Sequence, residues 1–585
     1  MTVSIDERRA ALEACHPCWE PRTLASHFAR VAAEYPDRPA VIARGESWSW
    51  HELRERSRAL ARGLVALGVE PGEHVATIMA NHPELIALKL AIAEAGAVAV
   101  PLNFLLHAQE LRYVIGQSDS VLLVTMERFR DLDYAAALDE LAPGWARNGG
   151  GSAFPKLRRV VAFEPDGDVR SGAMTLDDLI AAGESVTDDE VDTRAGAAQP
   201  DHVADVVYTS GTTGFPKGAM LTHENVLRCA YGSAFARAFE DGRRIIFALP
   251  LYHVFAYVEG LLAASFVGGA VVPQLTFDPV ATLDAIERHQ VNEALFVPTM
   301  TVAVVEHPRR DEFDLSSLRA IMSAAAPAPV WLWRRVRDEL GVPEITTAYG
   351  QTEASASTTV TFPGDPLELV SGTVGRAKPG GAAGDPELGG LVAEYRVVDP
   401  ESGVERPPGA EGELAVRGPL IMRGYYGKPE ETAAALDAGG WLRSGDLGRI
   451  RDDGYVELTG RSKELYKCGG ELVAPKEVEE LFTGRDDVEQ AYVVGIPDER
   501  MGEVGCAFVV AARGRRPDPD ELAADCAARL ARFKVPRHVL FIEAGELPVT
   551  PTGKVQKFRL VELARERLAA PAAAGSRIVA APPAG

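Results

Sequence analysis

The sequence predicts an α/β protein: a large N-terminal domain of α/β subdomains with a small β-rich subdomain, followed by a small α+β C-terminal domain. From residue 22 to residue 298, short apolar stretches typical of buried strands alternate with stretches of helical periodicity, as in a largely parallel sheet covered by helices. Past residue 394 the sequence changes to short strands and tight turns. A chain of 585 residues also exceeds what a single hydrophobic core holds.

The N-terminal part supplies most of these alternating elements. Strands are predicted at residues 39–43, 48–50, 75–79, 97–102 and 121–125, and a helix at 83–95. The stretch 143–155 contains GGGS at 149–152 and predicts a flexible surface loop, while 195–201 is hinge-like. We expect no chemistry from either stretch.

Three further strands are predicted at 245–250, 270–272 and 293–298, and the β-rich subdomain contains a strand within 412–418. The predicted elements of the last unit are helices at 475–482 and 518–530 and strands at 491–496, 507–511 and 539–542. We therefore divide the chain into an N-terminal domain (1–460), a C-terminal domain (461–563) and an Ala/Pro-rich disordered tail (564–585).

Composition excludes several classes of partner. A net charge of −23 argues against binding to nucleic acid or anionic membranes. No apolar run is long enough for a membrane span and the acidic start is not a signal peptide, so we expect a cytoplasmic protein without integral membrane association. Cys15 and Cys18 form a lone CxxC pair with no second pair at zinc spacing, which gives little support for a metal site.

The most informative stretch is residues 208–218, YTSGTTGFPKG. Its backbone N–H groups and hydroxyls can converge on an anion, and Lys217 adds a positive charge. It is not a Walker A loop, because Gly218 follows the lysine where Ser or Thr is required. The alternative, an exposed turn between two strands, is favoured for shorter Gly-rich pieces. For the complete motif we predict a polyphosphate clamp.

Four later motifs test this interpretation: YGQTE at 349–353, SGDLG at 444–448, GRSKELYKCGGE at 460–471 and PVTPTGKVQK at 548–557. Taken singly, each fits a solvated loop or turn. A carboxylate such as that of Glu353 suits a hard cation held mainly by phosphate oxygens and water. Asp446 offers two acceptor oxygens, and the Gly469-Gly470 pair permits close approach of a ligand to the backbone.

Together, in this order, the five motifs resemble those of the adenylate-forming superfamily of acyl-CoA synthetases, aryl-CoA ligases, luciferases and peptide-synthetase adenylation domains. The resemblance covers residues 22 to 563 and implies ATP, Mg²⁺ and coenzyme A as cofactor or co-substrates. It implies catalytic roles for Lys554, Glu353, Thr209 and Lys217, with Glu353 on the metal. The further nucleotide- and CoA-binding residues that it implies are Ser210, Gly211, Thr212, Thr213, Gly214, Ala325, Tyr349, Gly350, Thr352, Asp446, Arg461, Lys467, Gly469 and Gly470.

The resemblance also implies a mechanism. Tyr349 stacks on adenine, Thr352 lies near the α-phosphate, Asp446 and Arg461 hold the ribose, and Lys463 is the hinge of a mobile C-terminal domain. Lys554 bridges the attacking carboxylate and the α-phosphate, where negative charge accumulates. One departure is Leu472, at a position that is polar in many relatives. The resemblance therefore assigns no contact from Leu472 to AMP or substrate, and the effect of this residue stays open.

The implied reaction joins a carboxylic acid to CoA through an acyl adenylate. A peptide-synthetase domain is disfavoured because residues 250–257 contain no acidic residue for a substrate ammonium. A non-catalytic AMP-binding regulator is disfavoured because Lys554 and Glu353 are both present. Loading of a separate carrier protein and a luciferase-like oxygenase activity remain alternatives, and a homodimer is a candidate assembly.

The sequence predicts the chemical class of the acid but not its identity. By position, the acyl pocket is expected to be lined by Tyr252, His253, Phe255, Phe296, Val297, Met300, Ser323 and Ala324. This mostly apolar set predicts a fatty, alicyclic or aryl acid, although core packing is the commoner role of such residues.

Overall fold

The computed structural model describes residues 3–106, 108–165, 167, 169–209, 216–461, 464–468, 471–498, 501–530, 532–549, 555–569 and 577–578. The chain divides into two compact units. The first comprises Met1–Tyr395 and Val416–Leu442, and the second Arg396–Ala415 and Arg443–Gly585. The sequence predicts that a mobile C-terminal domain starts after residue 460. That domain boundary stays a prediction.

Two seven-stranded sheets form the first unit, as the alternation of strands and helices predicts. In the first sheet all neighbours are parallel except the last pair, which is an antiparallel hairpin. Its strands, in spatial order, are Glu344–Thr346, Ala320–Ser323, Glu293–Phe296, Arg244–Phe247, Ala270–Pro273, Pro39–Ala43 and Glu46–Ser49.

The second sheet carries the predicted phosphate motif at one edge. Its strands, in spatial order, are Lys217–Thr222, Val203–Thr209, Val98–Pro101, His74–Ile78, Leu122–Met126, Arg159–Phe163 and Met174–Thr175. Only the edge pair containing the motif is antiparallel. Smaller sheets are formed by Ala348–Gln351, Ala356–Val360 and Arg376–Ala377, and by Arg128–Phe129 and Leu132–Asp133.

Several helices of the first unit begin at residues whose side chains accept hydrogen bonds from the free N–H groups of the first turn. Ser49 and Glu52 form a capping box on Trp50–Ala66, and Thr222 and Asn225 form one on His223–Ala236. The other α-helices are Ile5–Cys15, Leu24–Glu34, Pro83–Glu94, Ala108–Gln117, Tyr134–Leu141, Trp145–Asn148, Leu176–Ala182, Asp188–Ala197, Ala263–Ser265, Pro279–His289, Pro298–Val305, Val330–Glu339, Leu367–Gly372 and Pro429–Ala435. A π-helix spans Phe255–Leu262.

Most elements fall where the sequence predicts them. The predicted surface loop at residues 143–155 consists largely of exposed turns, but it contains the short helix Trp145–Asn148 and two buried aromatic residues: Trp145 is 1% exposed and Phe154 is 4% exposed. A Cβ on Gly150 would lie 2.4 Å from the carbonyl oxygen of Phe154. The glycine therefore permits tight packing of this segment on itself, and its flexibility stays a prediction.

In the second unit, the described residues form two sheets and three α-helices. A four-stranded sheet, most of which belongs to this unit, is formed by Glu394–Val398, Gly412–Arg417, Leu442–Ile450 and Val456–Arg461. The other sheet contains Tyr466–Cys468, Glu471–Val473, Val488–Asp498, Gly502–Ala511, His538–Phe541 and Arg577–Ile578. The helices are Pro475–Thr483, Pro519–Arg529 and Lys557–Ala569.

The helix Lys557–Ala569 extends beyond residue 563, where the disordered tail was expected to begin. It does so because Leu560 and Ala564 are fully buried and belong to the hydrophobic core of the second unit, as do Phe508 and Val539. Within the rest of the predicted tail, Arg577–Ile578 pairs antiparallel with the strand His538–Phe541. The other residues of the tail lie outside the described part of the structure. Across the described residues, none of the helices is both long enough and apolar enough to cross a membrane.

Candidate active site

The predicted phosphate loop closes a hairpin at the edge of the second sheet. Thr209, the last residue of one strand, lies opposite Lys217, the first residue of the next, and its Oγ1 donates a 3.4 Å hydrogen bond to the Lys217 carbonyl. The sheet register thus fixes both ends of the loop. The predicted ligands Ser210, Gly211, Thr212, Thr213 and Gly214 lie outside the described residues.

A buried ion pair lies beneath the strand that leads into this loop. Asp205, the polar residue in an otherwise apolar run, is fully buried and pairs with Lys89, which is 6% exposed. Nζ of Lys89 also lies 3.9 Å from the ring centre of Tyr257. Because Asp205 and Lys89 neutralise each other, the strand Val203–Thr209 keeps a carboxylate in the core without a net charge.

Glu353, the predicted metal ligand, is held from two directions. The phenol of Tyr425 donates a 2.7 Å hydrogen bond to its Oε1, and the backbone N–H of Met422 donates a 2.8 Å bond to its carbonyl. Burial, followed by the charge and hydrogen bond of Glu353, raises the pKa of Tyr425. The phenol therefore stays protonated and available as a donor.

Tyr425 also connects Glu353 to the phosphate hairpin. Residues 424–426 lie along the strand Lys217–Thr222, with Tyr425 opposite Ala219. Nζ of Lys217 lies 5.1 Å from the centre of the Tyr425 ring. The sequence analysis missed Tyr425, because a tyrosine 72 positions from Glu353 shows no local pattern. The fold alone brings the two together.

The strand Ala348–Gln351 presents the predicted adenine-binding Tyr349, whose ring centre lies 6.5 Å from that of Tyr395. The next residue is a glycine for a steric reason: a Cβ on Gly350 would lie 1.7 Å from the carbonyl oxygen of Ala356. The strand continues into the short turn Thr352–Ala354, where Thr352 is buried. Tyr349, Gly350, Thr352 and Glu353 are therefore placed by one hairpin.

In the second unit, the predicted ribose ligands Asp446 and Arg461 lie directly opposite each other on neighbouring antiparallel strands. Asp446 is 6% exposed. Oγ of Ser444 donates 2.7 Å to the Leu414 carbonyl and accepts 3.1 Å from the Asp446 N–H. The motif is thus locked into the sheet. The side chain of Arg461 lies outside the described part of the structure.

Several predicted residues of the second unit cannot be placed in this geometry. Lys463, Gly469, Gly470 and Lys554 lie outside the described residues, as does the side chain of Lys467. Their roles stay predictions.

The predicted acyl-pocket residues differ in their exposure. Half-buried Phe255 begins the π-helix, and its N–H donates 3.2 Å to Nδ1 of half-buried His253. Met300 is half-buried, Ala324 is 6% exposed, and exposed Ala325 has a left-handed backbone with φ 73°. The functional roles of these residues stay predictions.

Two of the predicted pocket residues are closed off in the core. Phe296 is fully buried, with its ring centre 6.2 Å from that of Phe277. Ser323 is 1% exposed and accepts a 3.4 Å hydrogen bond from Thr301. Their roles as pocket walls stay predictions.

The donor set fits the expected cation. The described residues contain no group of three or more His, Cys, Asp or Glu side chains that could hold a metal by themselves. A single carboxylate at Glu353 suits Mg²⁺ when phosphate oxygens and water supply the other ligands. Cys15 and Cys18 are exposed free thiols.

The family comparisons cover both parts of the chain. A family model described as "AMP-binding enzyme" matches residues 28–426, and one described as "AMP-binding enzyme C-terminal domain" matches residues 477–554. The chain is 38% identical over 542 residues to the 3-[(3aS,4S,7aS)-7a-methyl-1,5-dioxo-octahydro-1H-inden-4-yl]propanoyl:CoA ligase of Mycobacterium tuberculosis, covering 93% of this chain and 99% of the relative. It is also 38% identical to a feruloyl-CoA synthase of Amycolatopsis sp, covering 91% and 97%.

The fold agrees with these sequence relationships. The crystal structure of ATP-bound MatB from Rhodopseudomonas palustris matches with a TM-score of 0.78 at 30% identity, covering 93% of this chain and 99% of MatB. The expected reaction class, acid activation through an acyl adenylate with ATP and CoA as substrates, is confirmed at this level. The chain therefore belongs to the AMP-binding enzyme family, and within it to the AMP-forming acyl-CoA synthetases and ligases.

Proposed function

We propose that the chain activates an apolar monocarboxylic acid and transfers it to CoA. In the first step a carboxylate oxygen attacks the α-phosphorus of ATP, the bond to the β-phosphate oxygen breaks, and acyl-AMP and pyrophosphate form. In the second step the CoA thiol loses its proton and attacks the acyl carbon, and AMP leaves. The supporting observation is the contact of Tyr425 with both Glu353 and Lys217, at the end of the hairpin that carries the phosphate motif.

The first unit supplies the groups that hold the triphosphate. Lys217 contributes a positive charge and Thr209 a hydroxyl at the fixed ends of the loop. Glu353 holds Mg²⁺, which neutralises charge on the phosphate oxygens when bound. Tyr425 keeps the Glu353 carboxylate in one orientation by its 2.7 Å hydrogen bond. Tyr349 stacks on the adenine. Catalysis of this kind depends on positioning and charge neutralisation rather than on a protein nucleophile.

The second unit supplies the remaining contacts. Asp446 accepts hydrogen bonds from the ribose hydroxyls, and Arg461 lies opposite it in the sheet. Lys554 stabilises the charge of the adenylation transition state. Rotation of the C-terminal domain about Lys463 then removes Lys554 and brings Gly469 and Gly470 beside the pantetheine arm. The domain division at residue 460, the cytoplasmic location and a homodimer belong to the same proposal.

The acid is proposed to be fatty, alicyclic or aryl. The predicted pocket is mostly apolar, as at Phe255, Met300 and Ala324, and burying a second ionised carboxylate there would cost much of its hydration. The names of the relatives point in the same direction: one is a ligase for a bicyclic propanoyl group and another a feruloyl-CoA synthase.

A pyrophosphate-release screen tests this proposal. The enzyme is incubated with MgATP and a panel of fatty, alicyclic and aryl acids, matched with dicarboxylic acids of similar size, each with and without CoA. We expect acid-dependent pyrophosphate from at least one apolar monocarboxylic acid and a CoA thioester of the same acid. Activity confined to dicarboxylic acids would overturn the acid class. Light emission with a luciferin, or transfer only to a carrier protein, would favour the corresponding alternative.

A further inference from the structure

The π-helix Phe255–Leu262 carries a fully buried acidic residue one turn after its start. Glu259 is 1% exposed and lies among Arg237, Lys378 and Ser357. Burial acts to raise the pKa of Glu259, but the charges of Lys378 and Arg237 outweigh burial and lower it. Glu259 is therefore an anion inside the core. Neither its location nor its charge was predicted from the sequence.

Lys378 is also fully buried, and its ammonium has several partners. Its Nζ donates 2.9 Å to Oγ of Ser357 and 2.8 Å to Oγ of Ser233, and lies 3.7 Å from Oε1 of Glu259. It also donates 3.2 Å to the carbonyl of Cys229. Lys378 thus ties the helix His223–Ala236 to the strand that contains Ser357.

Ser357 links the buried ion pair of Glu259 and Lys378 to the proposed nucleotide site. Its N–H and its Oγ donate 3.1 Å and 2.6 Å bonds to the same oxygen, Oε1 of Glu259. In the hairpin, Ser357 is paired with Gly350. Gly350 directly follows Tyr349 in the chain and precedes Glu353 by three residues. The backbones of the two strands are close at this point, because a Cβ on Gly350 would lie 1.7 Å from the carbonyl oxygen of Ala356. We expect a shift of Glu259 or Lys378 to move the strand that presents Tyr349.

The ion pairs extend away from Lys378 and Glu259 as a network of four cations and four carboxylates. From Glu259 they continue through Arg237 and Glu293 to Arg243. Arg243 and Arg8 then each pair with both Glu240 and Glu344. A buried ion pair is weak grounds for stability, since apolar replacements often perform as well. The contact of the Glu259–Lys378 ion pair with the strand that contains Ser357 therefore needs an explanation other than stability.

We propose that Glu259 and Lys378 are positioning residues: through Ser357 they set the strand Ala348–Gln351 relative to the π-helix Phe255–Leu262. This inference rests on the proposed function, in which that strand presents Tyr349 to adenine and Phe255 faces the acid. Tying both elements to one buried charged group fixes the separation between the nucleotide and the acid. Displacement of reacting groups by about 1 Å is enough to slow catalysis strongly.

Kinetics of three variants test the inference. Lys378→Met removes the cation, and Ser357→Ala removes one link to the strand without altering any charge. Arg8→Met is the matched control, because it breaks a buried ion pair with Glu344 at the far end of the same network. KM and kcat for ATP are measured by pyrophosphate release at a temperature at which circular dichroism shows each variant folded.

We expect Lys378→Met to lower kcat at least tenfold with a smaller change in KM for ATP, and Ser357→Ala to lower kcat by less. Arg8→Met should melt at a lower temperature yet keep kcat within about twofold, because it does not touch the hairpin. A parental kcat in both Lys378→Met and Ser357→Ala, or an equal fall in Arg8→Met, would overturn the inference. If Lys378→Met does not fold, Ser357→Ala decides alone. A parent enzyme without acid-dependent pyrophosphate release would instead refute the proposed function.

Discussion

The phenol of Tyr425 donates a 2.7 Å hydrogen bond to Oε1 of Glu353, and its ring lies 5.1 Å from Nζ of Lys217. One side chain thus connects the proposed metal ligand to the cation that ends the phosphate motif. Because a carboxylate that accepts a hydrogen bond has fewer orientations, Tyr425 pre-organises Glu353 before any ligand binds.

Replacing Tyr425 should weaken the use of Mg²⁺. In Tyr425→Phe the ring stays near Lys217 while the donor to Glu353 is lost, and a hydrogen bond to a charged group contributes about 1.5 to 3 kcal/mol. We expect the Mg²⁺ concentration for half-maximal adenylation to rise roughly tenfold. Tyr426→Phe is the control, because the Tyr426 hydroxyl donates to Asp119 instead. Equal Mg²⁺ dependence of the two variants would remove Tyr425 from the site.

Replacing Asp446 should weaken the use of ATP. Losing a charge-assisted contact to the ribose hydroxyls corresponds to roughly ten- to hundred-fold in affinity. We expect Asp446→Ala to raise the Kd for ATP by this factor in a direct binding titration. Asp453→Ala, in an exposed turn of the same sheet, serves as the control. An unchanged Kd in folded Asp446→Ala would contradict the assignment of the ribose contact.

Glu94 makes stability depend on pH. Glu94 is 5% exposed and lies beside a cavity of about 10 Å³ that is also lined by Trp50 and Ser57. Burial raises the pKa of Glu94 from 4.5 to about 7, although the positive charges of Arg58 and Arg54 act to lower it. Between pH 4.5 and pH 7, the Glu94 carboxyl is protonated to a greater extent in the folded state than in the unfolded state. Its contribution to stability therefore falls as pH rises from 4.5 through 7.

Glu94→Gln should remove this dependence. We expect the variant to be more stable than the parent by about 3 kcal/mol in urea unfolding at pH 8, with the difference shrinking as the pH falls toward 4.5. Glu55→Gln, at an exposed position of the neighbouring helix Trp50–Ala66, should show no such trend. A difference between Glu94→Gln and the parent that is the same at both pH values would contradict the burial of an ionised Glu94.

Lys554 should serve the first half-reaction alone. Removing a pre-organised donor from a transition state typically slows a step by ~10² to 10³. Lys554→Ala should therefore lose acyl-AMP formation, yet make thioester from synthetic acyl-AMP and CoA at close to the parental rate. Gly470→Leu should do the converse, because its side chain would intrude on the pantetheine path. Equal loss of both half-reactions in folded Lys554→Ala would contradict domain alternation.

The sequence was sufficient for the alternating architecture, because strand and helix periodicity are local. The order of the five motifs also identified Thr209, Lys217, Asp446 and Arg461 as candidate site residues. The structure adds that Thr209 lies opposite Lys217 and that Asp446 lies opposite Arg461. Tyr425 was missed because its partner lies 72 positions away. The partners of buried charges, such as Lys89 for Asp205, were missed for the same reason: three-dimensional packing selects them. The helix Trp145–Asn148 and the buried anchors within residues 143–155 were missed because glycine permits tight packing as well as flexibility.

Acid activation and thioester formation are both proposed to occur on this one chain. A single reaction of enzyme, MgATP, an accepted acid and CoA, quenched and analysed for all products by mass spectrometry, decides whether they do. We expect acyl-CoA, AMP and pyrophosphate in equal amounts, with acyl-AMP replacing acyl-CoA when CoA is omitted. Acyl-AMP that accumulates while CoA stays unmodified, or acid-dependent formation of ADP and phosphate, would refute the proposed reaction.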